Sequence, residues 1–179
     1  MKNYLLKALY KKKKFFETLK ESDSDSDRSL SSDDEEEVSK DIIYKLYNNR
    51  YISLKYLGKG TFCRAWLMYD IVSNKCFAMK MFYPKYYEDS KNELKINKLI
   101  NSNNYIVTLI DNFIVEGSTC IIYELLGLTL LEILDYYEDK QIPLNVVKKI
   151  TIEILKGIEE LHKQNIIHCD LKPENIMIT

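Results

Sequence analysis

The chain has 179 residues, 46% of them hydrophobic, with 26 Lys and Arg against 27 Asp and Glu, which allows one domain or two small ones around an apolar core. Five Gly and three Pro exclude a collagen-like or Gly/Pro-rich disordered chain. The longest apolar stretch, Ile121 to Tyr137, is broken by Glu124, Glu132 and Asp135, so no transmembrane segment is predicted. Lys7 interrupts what would be the apolar core of a signal peptide, and Cys63, Cys76, Cys120 and Cys169 are scattered without a C-x-x-C pair. An intracellular, reducing compartment is the expectation, with cytoplasm and nucleus not distinguished.

The near-zero net charge hides a segregated leader. Residues 1–20 form a basic tail with seven Lys and one Glu. Leu5, Leu6, Leu9, Phe16 and Leu19 fall near one side of a possible helix, and Lys11 to Lys14 make an anionic-surface or nuclear-import patch; the alternative is a solvated tail pairing with the acids that follow. Residues 21–47 open with nine acids and one Arg between Glu21 and Glu37, and this segment is expected to be a disordered Ser/Asp/Glu-rich linker. The serines set among aspartates would suit an acid-directed kinase.

From Asp41 the composition turns periodic. Arg50 to Leu57 alternates as a strand and runs into Gly58-Lys59-Gly60. Ala65 to Val72 and Cys76 to Phe82 read as strands joined by a turn at Ser73-Asn74-Lys75. Asp89 to Ile100 reads as a helix with Leu94, Ile96, Leu99 and Ile100 as its packing face. Ile106 to Val115 and Thr119 to Leu126 are strand-like around a Glu116-Gly117-Ser118 turn, and Thr129 to Tyr137 is helical. The strongest helix, Asn145 to Gln164, aligns Val147, Ile150, Ile154, Ile158 and Leu161 on one face. The pattern predicts a five-stranded antiparallel sheet with one helix carrying Glu93, Gly58 and Lys80 on adjoining strands, then two helices and a loop.

Three motifs carry chemistry. Leu57-Gly58-Lys59-Gly60-Thr61-Phe62-Cys63-Arg64-Ala65 sits at a strand–strand turn, where paired glycines let backbone N–H groups approach phosphate oxygens. Alone it reads as an ordinary hairpin, and strands on both sides argue against a dinucleotide fingerprint. Phe77-Ala78-Met79-Lys80 places a lysine on a strand after that hairpin, where it can hold phosphates if a carboxylate orients it; Glu93 is the first candidate and Glu88 the second. His168-Cys169-Asp170-Leu171-Lys172-Pro173-Glu174-Asn175, expected between two short apolar strands, is the most specific of the three. Asp170 can accept the proton of an attacking hydroxyl, Lys172 can neutralise charge on a transferring phosphoryl, and Asn175 can bind a divalent metal.

In this order the motifs resemble a eukaryotic-type serine/threonine protein kinase over about Asn48 to the C-terminus. Gly58, Gly60, Lys80, Glu93, Asp170, Lys172 and Asn175 match the family's functional positions. The resemblance implies an α+β kinase-like fold, with an N-lobe over residues 48–126 and the hinge end and start of the C-lobe, through the catalytic loop, over 127–179. It implies ATP and Mg²⁺ as cofactors, with Leu57, Ala65, Ala78 and Met177 around adenine, Tyr123 as gatekeeper and backbone groups of Glu124 and Leu126 on the adenine edge. Lys59, Thr61, Phe62, Cys63 and Arg64 complete the phosphate loop. Asp170 and Lys172 are the implied catalytic residues and Asn175 the implied metal ligand. The Ser/Thr form of the catalytic loop rests on Lys172.

Trp66, the hinge Tyr123-Glu124-Leu125-Leu126-Gly127, the acidic leader and a non-Arg residue before Asp170 make the chain similar to the SR-protein kinases, which implies an Arg/Ser-rich or basic protein substrate. No direct nucleic-acid recognition is predicted. Cys63 replaces the third loop glycine, Ala65 the usual valine, and Cys169 the usual arginine. The chain reaches Thr179 without an Asp-Phe-Gly segment, so the resemblance implies poor transfer by these residues alone and a complementing C-terminal kinase segment as a partner. The alternative function is a truncated, catalytically silent module that binds nucleotide or a partner.

Overall fold

Asn48 and Asn49 adopt φ of 48° and 51°, the left-handed region that asparagine tolerates, and turn a two-residue strand β1 (Leu46–Tyr47) onto β2 (Tyr51–Lys59). The computed structural model describes residues 44–100, 104–137 and 141–178, so the basic tail and nearly all of the acidic linker lie outside the described residues. Leu46 and Tyr47 were expected in that linker, yet they pair with Ile52 and Tyr51, and Tyr47 is buried. The sheet therefore begins before Asn48, because the Tyr47 side chain, immediately ahead of the Asn pair, has core to enter.

β2, β3 (Cys63–Asp70) and β4 (Lys75–Phe82) form an antiparallel meander. After helix α1 (Tyr87–Leu99), β5 (Leu109–Val115) and β6 (Ser118–Glu124) form a hairpin whose second strand pairs with β4. Among the described residues the sheet has six strands in the order β1-β2-β3-β4-β6-β5, one more than the five expected. Gly58 and Lys80 are not on adjoining strands. Gly58 pairs with Ala65 and Ala65 with Lys80, so β3 stands between them and all three form one row. Each hairpin returns the chain to the neighbouring position, so the strand two along cannot touch the first.

Bulges in β2 at Leu54 and Leu57 bend the sheet, and its two edges meet. Tyr51 stacks on Phe113 of β5 with ring centroids 5.8 Å apart, its hydroxyl donates to Asp111 at 2.9 Å, and Lys45 pairs with Glu116 at 3.2 Å. Enclosed by this curl is the core: Tyr47, Tyr51, Trp66, Met68, Met79, Cys120 and Ile122. The buried Asp70 carboxylate accepts from Arg50 Nε and Nη2 (2.9 and 2.8 Å), the Val72 N–H (3.0 Å) and the Ser73 hydroxyl (2.6 Å), which ties β2 to the β3–β4 turn.

The opposite face of the sheet carries Ala65, Ala78, Lys80 and Tyr123, which the register puts side by side. Helix α1 lies there, but only part of its expected apolar face is covered: Leu94 and Ile100 are half-buried. Ser90 is buried and Glu93 and Asn97 turn to the sheet, whereas Ile96 and Leu99 are 47% and 64% exposed. Polar partners on β4 and β6 decide the helix's rotation, and apolar periodicity carries no sign of them.

Beyond β6, Thr129 caps helix α2 (Leu130–Asp135): its hydroxyl accepts from Glu132 N–H at 3.1 Å and Glu132 Oε2 accepts from Thr129 N–H at 2.7 Å. Helix α3 (Leu144–Lys163) follows the expected span, with Leu161 buried and Ile150, Ile154 and Ile158 half-buried. Gly157 lets Tyr105 approach, since an added Cβ would sit 3.2 Å from the Tyr105 Cβ. No helix among the described residues is long and apolar enough to cross a membrane.

Candidate functional site

The row Gly58–Ala65–Lys80 ends at a bidentate ion pair. Lys80 Nζ donates to Glu93 Oε1 at 2.8 Å and Oε2 at 2.6 Å, with the two side chains 33% and 26% exposed. Glu93 is thus the carboxylate that orients the lysine, and Glu88, the second candidate, instead lies 3.5 Å from Lys91 at the surface. Tyr123 joins this pair. Its hydroxyl donates to Glu93 Oε1 at 2.9 Å and accepts from Asn97 Nδ2 at 3.1 Å. Burial, with the Glu93 carboxylate second, pushes the Tyr123 phenol far above its ordinary range, so it stays protonated and donates. No signal in the sequence marks Asn97.

Above this cluster the β2–β3 loop is closed by the Gly60 N–H donating to the Cys63 carbonyl at 2.8 Å. Gly58 has φ 152°, a conformation that L side chains rarely adopt, so a Cβ there would strain the strand just where it turns. The Phe62 ring meets Tyr86 edge-on at 5.0 Å and the Phe62 carbonyl accepts from Tyr83 N–H at 3.1 Å, which seats the loop tip on the turn before α1. Arg64 lies over the Tyr83 ring at 5.2 Å. Burial raises the Cys63 thiol above its usual value. Lys59 and Thr61 are exposed, as is Leu57 at the bulge. A cleft of about 340 Å³ opens between loop tip, β4 and α1, lined by Phe62, Lys80, Phe82, Asp89, Glu93, Ile96 and Asn97. It covers the lysine end of the expected nucleotide site; Leu57, Ala65, Ala78, Tyr123, Glu124, Leu126 and Met177 do not line it.

At the hinge, Glu124 and Thr108 clasp each other. The Glu124 N–H donates to the Thr108 carbonyl (3.1 Å) and the Glu124 carboxylate accepts from Thr108 N–H (2.7 Å). Any adenine contact from the Glu124 backbone therefore falls to its carbonyl. Past Leu126 the chain pairs with the end of the catalytic loop: Gly127 N–H to Ile178 carbonyl (2.9 Å), Ile178 N–H to Leu128 carbonyl (2.9 Å) and Leu130 N–H to Ile176 carbonyl (2.7 Å). This pairing puts Met177 opposite Thr129. The expected short strands around the loop are absent; a single bridge replaces them, because the partner is a bend between hinge and helix.

Within the loop, Asn175 Nδ2 donates to Asp170 Oδ2 and to the Asp170 carbonyl, both at 2.8 Å, and Lys172 Nζ lies 3.0 Å from the same Oδ2. Those bonds leave Asp170 Oδ1 for an incoming hydroxyl. Lys172 first, then Asn175, hold the Asp170 carboxyl below the usual carboxylate range, so it is ionised near neutral pH. Cys169 at φ 63° makes the sharp turn, and His168 Nδ1 accepts from Asp170 N–H at 3.3 Å. Asn175 donates to Asp170 through Nδ2, and its Oδ1 is a hard oxygen donor of the kind Mg²⁺ takes. No group of three His, Cys, Asp or Glu able to hold a metal exists among the described residues, so an ion here would draw its other ligands from phosphate oxygens and water. The Lys80–Glu93–Tyr123–Asn97 and Asp170–Lys172–Asn175 clusters are separate hydrogen-bond networks.

Known proteins resemble this chain over about three quarters or more of its length. The protein kinase dsk1 of Schizosaccharomyces pombe is 32% identical over 148 residues, covering 75% of this chain and 27% of dsk1. The SRSF protein kinase 3 of Mus musculus is 35% identical over 173 residues, covering 83% of this chain and 31% of the mouse protein. The chain thus spans less than a third of either relative. A crystal structure of a kinase domain superposes with a TM-score of 0.70 at 32% identity, over 76% of this chain and 43% of that one. The family model for the protein kinase domain matches residues 51–179, and the chain belongs to that family.

Proposed function

We propose that the described residues form the nucleotide-binding and catalytic-loop part of an ATP-dependent enzyme that transfers the γ-phosphoryl group to Ser or Thr hydroxyls of proteins. The observation that carries this reading is the bidentate Lys80–Glu93 pair on the sheet face beneath the Gly58–Cys63 loop. A lysine held by a carboxylate at the mouth of a cleft is a fixed positive charge for phosphate oxygens. Backbone N–H groups of the Gly58–Arg64 loop, other than that of Gly60, which donates to the Cys63 carbonyl, would cradle the phosphates. Leu57, Ala65, Ala78 and Met177 would enclose adenine, with the Glu124 carbonyl and the Leu126 backbone on its edge. Asp170 Oδ1 would take the hydroxyl proton, Lys172 would offset charge on the moving phosphoryl, and Asn175 Oδ1 would hold Mg²⁺, whose chemistry is neutralisation of the phosphate oxygens.

Similarity to the mouse SRSF protein kinase favours an Arg/Ser-rich or basic acceptor. No disulfide joins the scattered cysteines, which supports an intracellular setting. The test joins calorimetric binding of ATP with Mg²⁺ to phosphorylation of an Arg/Ser-rich peptide and a generic basic protein, wild type beside Asp170→Ala. Transfer abolished by Asp170→Ala while nucleotide still binds supports the reading. A wild-type protein that binds no ATP overturns it, and binding without transfer assigns the chain to a nucleotide-binding module.

A further inference from the structure

Helix α1 meets the sheet through a polar seam. Ser90, Glu93 and Asn97, spaced three and four apart, turn inward together, while Ile96 and Leu99 face solvent. The Ser90 and Thr119 hydroxyls share a buried hydrogen bond at 2.8 Å at one end of the seam. At the other, Asn97 Nδ2 donates both to the Glu93 carbonyl (2.8 Å) and to the Tyr123 hydroxyl (3.1 Å). Both amide hydrogens are then engaged, and the phenol oxygen is occupied as an acceptor. Its own proton is thereby aimed at Glu93 Oε1, 2.9 Å away, beside the Lys80 ammonium at 2.8 Å.

We infer that Tyr123 and Asn97 are positioning residues that hold Glu93, and through it Lys80, in the geometry that receives phosphate. This rests on the function proposed above and assigns Tyr123 a role beyond walling the nucleotide site. The Glu93 carboxylate has many rotamers, and one ammonium alone leaves the pair free to swing together toward water. A phenol anchored in β6 removes that freedom, because its ring can move only with the strand. Apolar packing does little to fix the helix, since Leu94 is only half-buried and Ile96 and Leu99 are exposed. The same phenol joins the hinge to the helix: Glu124, the next residue, is clasped to Thr108.

The test is the affinity ratio of ATP to adenosine in wild type, Tyr123→Phe, Glu93→Gln and the double variant. Any change in the ring's contact with adenine affects both ligands and cancels in the ratio. Tyr123→Phe should lower the ratio about tenfold, the scale of losing a hydrogen bond to a charged group. In the Glu93→Gln background the same change should lower it no further. Amide exchange supplies a second readout that needs no nucleotide. Residues 90–99 should exchange faster in Tyr123→Phe, and likewise in Asn97→Leu, while β2 to β4 keep their protection. An unchanged ratio, a full further loss in the Glu93→Gln background, or unaltered exchange in α1 overturns the inference. If wild type binds no ATP, the proposed function fails, and the exchange experiment still decides whether Tyr123 positions the helix.

Discussion

Replacing Gly127 by Ala places a methyl group on the Ile178 carbonyl oxygen, inside van der Waals contact, and the obstacle is backbone that no rotamer can remove. Gly127 N–H already donates to that oxygen at 2.9 Å, so the carbonyl cannot retreat without breaking the bond. The neighbouring bond from Ile178 N–H to the Leu128 carbonyl, also 2.9 Å, would go with it. At a net worth of about 1 kcal/mol each, the two losses favour local opening by about 2 kcal/mol. Amide exchange at Ile178 and Leu130 should then accelerate about thirtyfold in Gly127→Ala. The sheet core is remote from this contact, so the thermal midpoint of the β-strands should move little. Asp170 and Asn175 sit on the loop tethered by this pairing, and phosphoryl transfer should fall with the tether. Wild-type exchange at Ile178 in Gly127→Ala would refute the reasoning, since it would mean that the loop accommodates the methyl at no cost.

Two further perturbations probe the charges. Lys80→Met keeps side-chain length and removes the cation, so transfer should fall about a hundredfold with ATP affinity reduced more than adenosine affinity; wild-type transfer would contradict the assignment of Lys80 to the phosphates. Asp70 tests the tie between β2 and the β3–β4 turn. Hydrogen bonds from Arg50, then Ser73 and Val72, hold its carboxyl well below the usual range against the opposing effect of burial. A depressed folded value means that its stabilisation is complete above the unfolded value of about 3.9 and is lost as pH falls below it. Urea midpoints should therefore fall from about pH 4 downward, through about pH 3 and below, in wild type and more gently in Asp70→Asn, which should cost about 2 kcal/mol at pH 7 after allowing for the exposure of Arg50. Parallel acid profiles for the two proteins would remove Asp70 from the account.

Much of the site was legible because its chemistry constrains residue type at short range. A lysine after a glycine hairpin, and Asp170, Lys172 and Asn175 within six residues, can be read without knowing what touches them. The strands β2 to β6 and helix α3 follow from period-two and helical alternation in the same local way. Strand β1 was marked by the Asn48-Asn49 pair, a turn signal set among residues whose acidic neighbourhood pointed elsewhere. What stayed hidden were contacts between residues far apart in the chain. Glu93 meets Tyr123 30 residues on, and Ser90 meets Thr119 29 residues on. The rotation of α1 therefore belongs to the sheet: Ile96 and Leu99 are left facing water, because the polar bonds of Ser90, Glu93 and Asn97 to β4 and β6 outweigh their burial. Gly127 is of the same kind. It is one glycine in a hinge by sequence, and only the return of Ile178 against its backbone makes a hydrogen the largest side chain that fits.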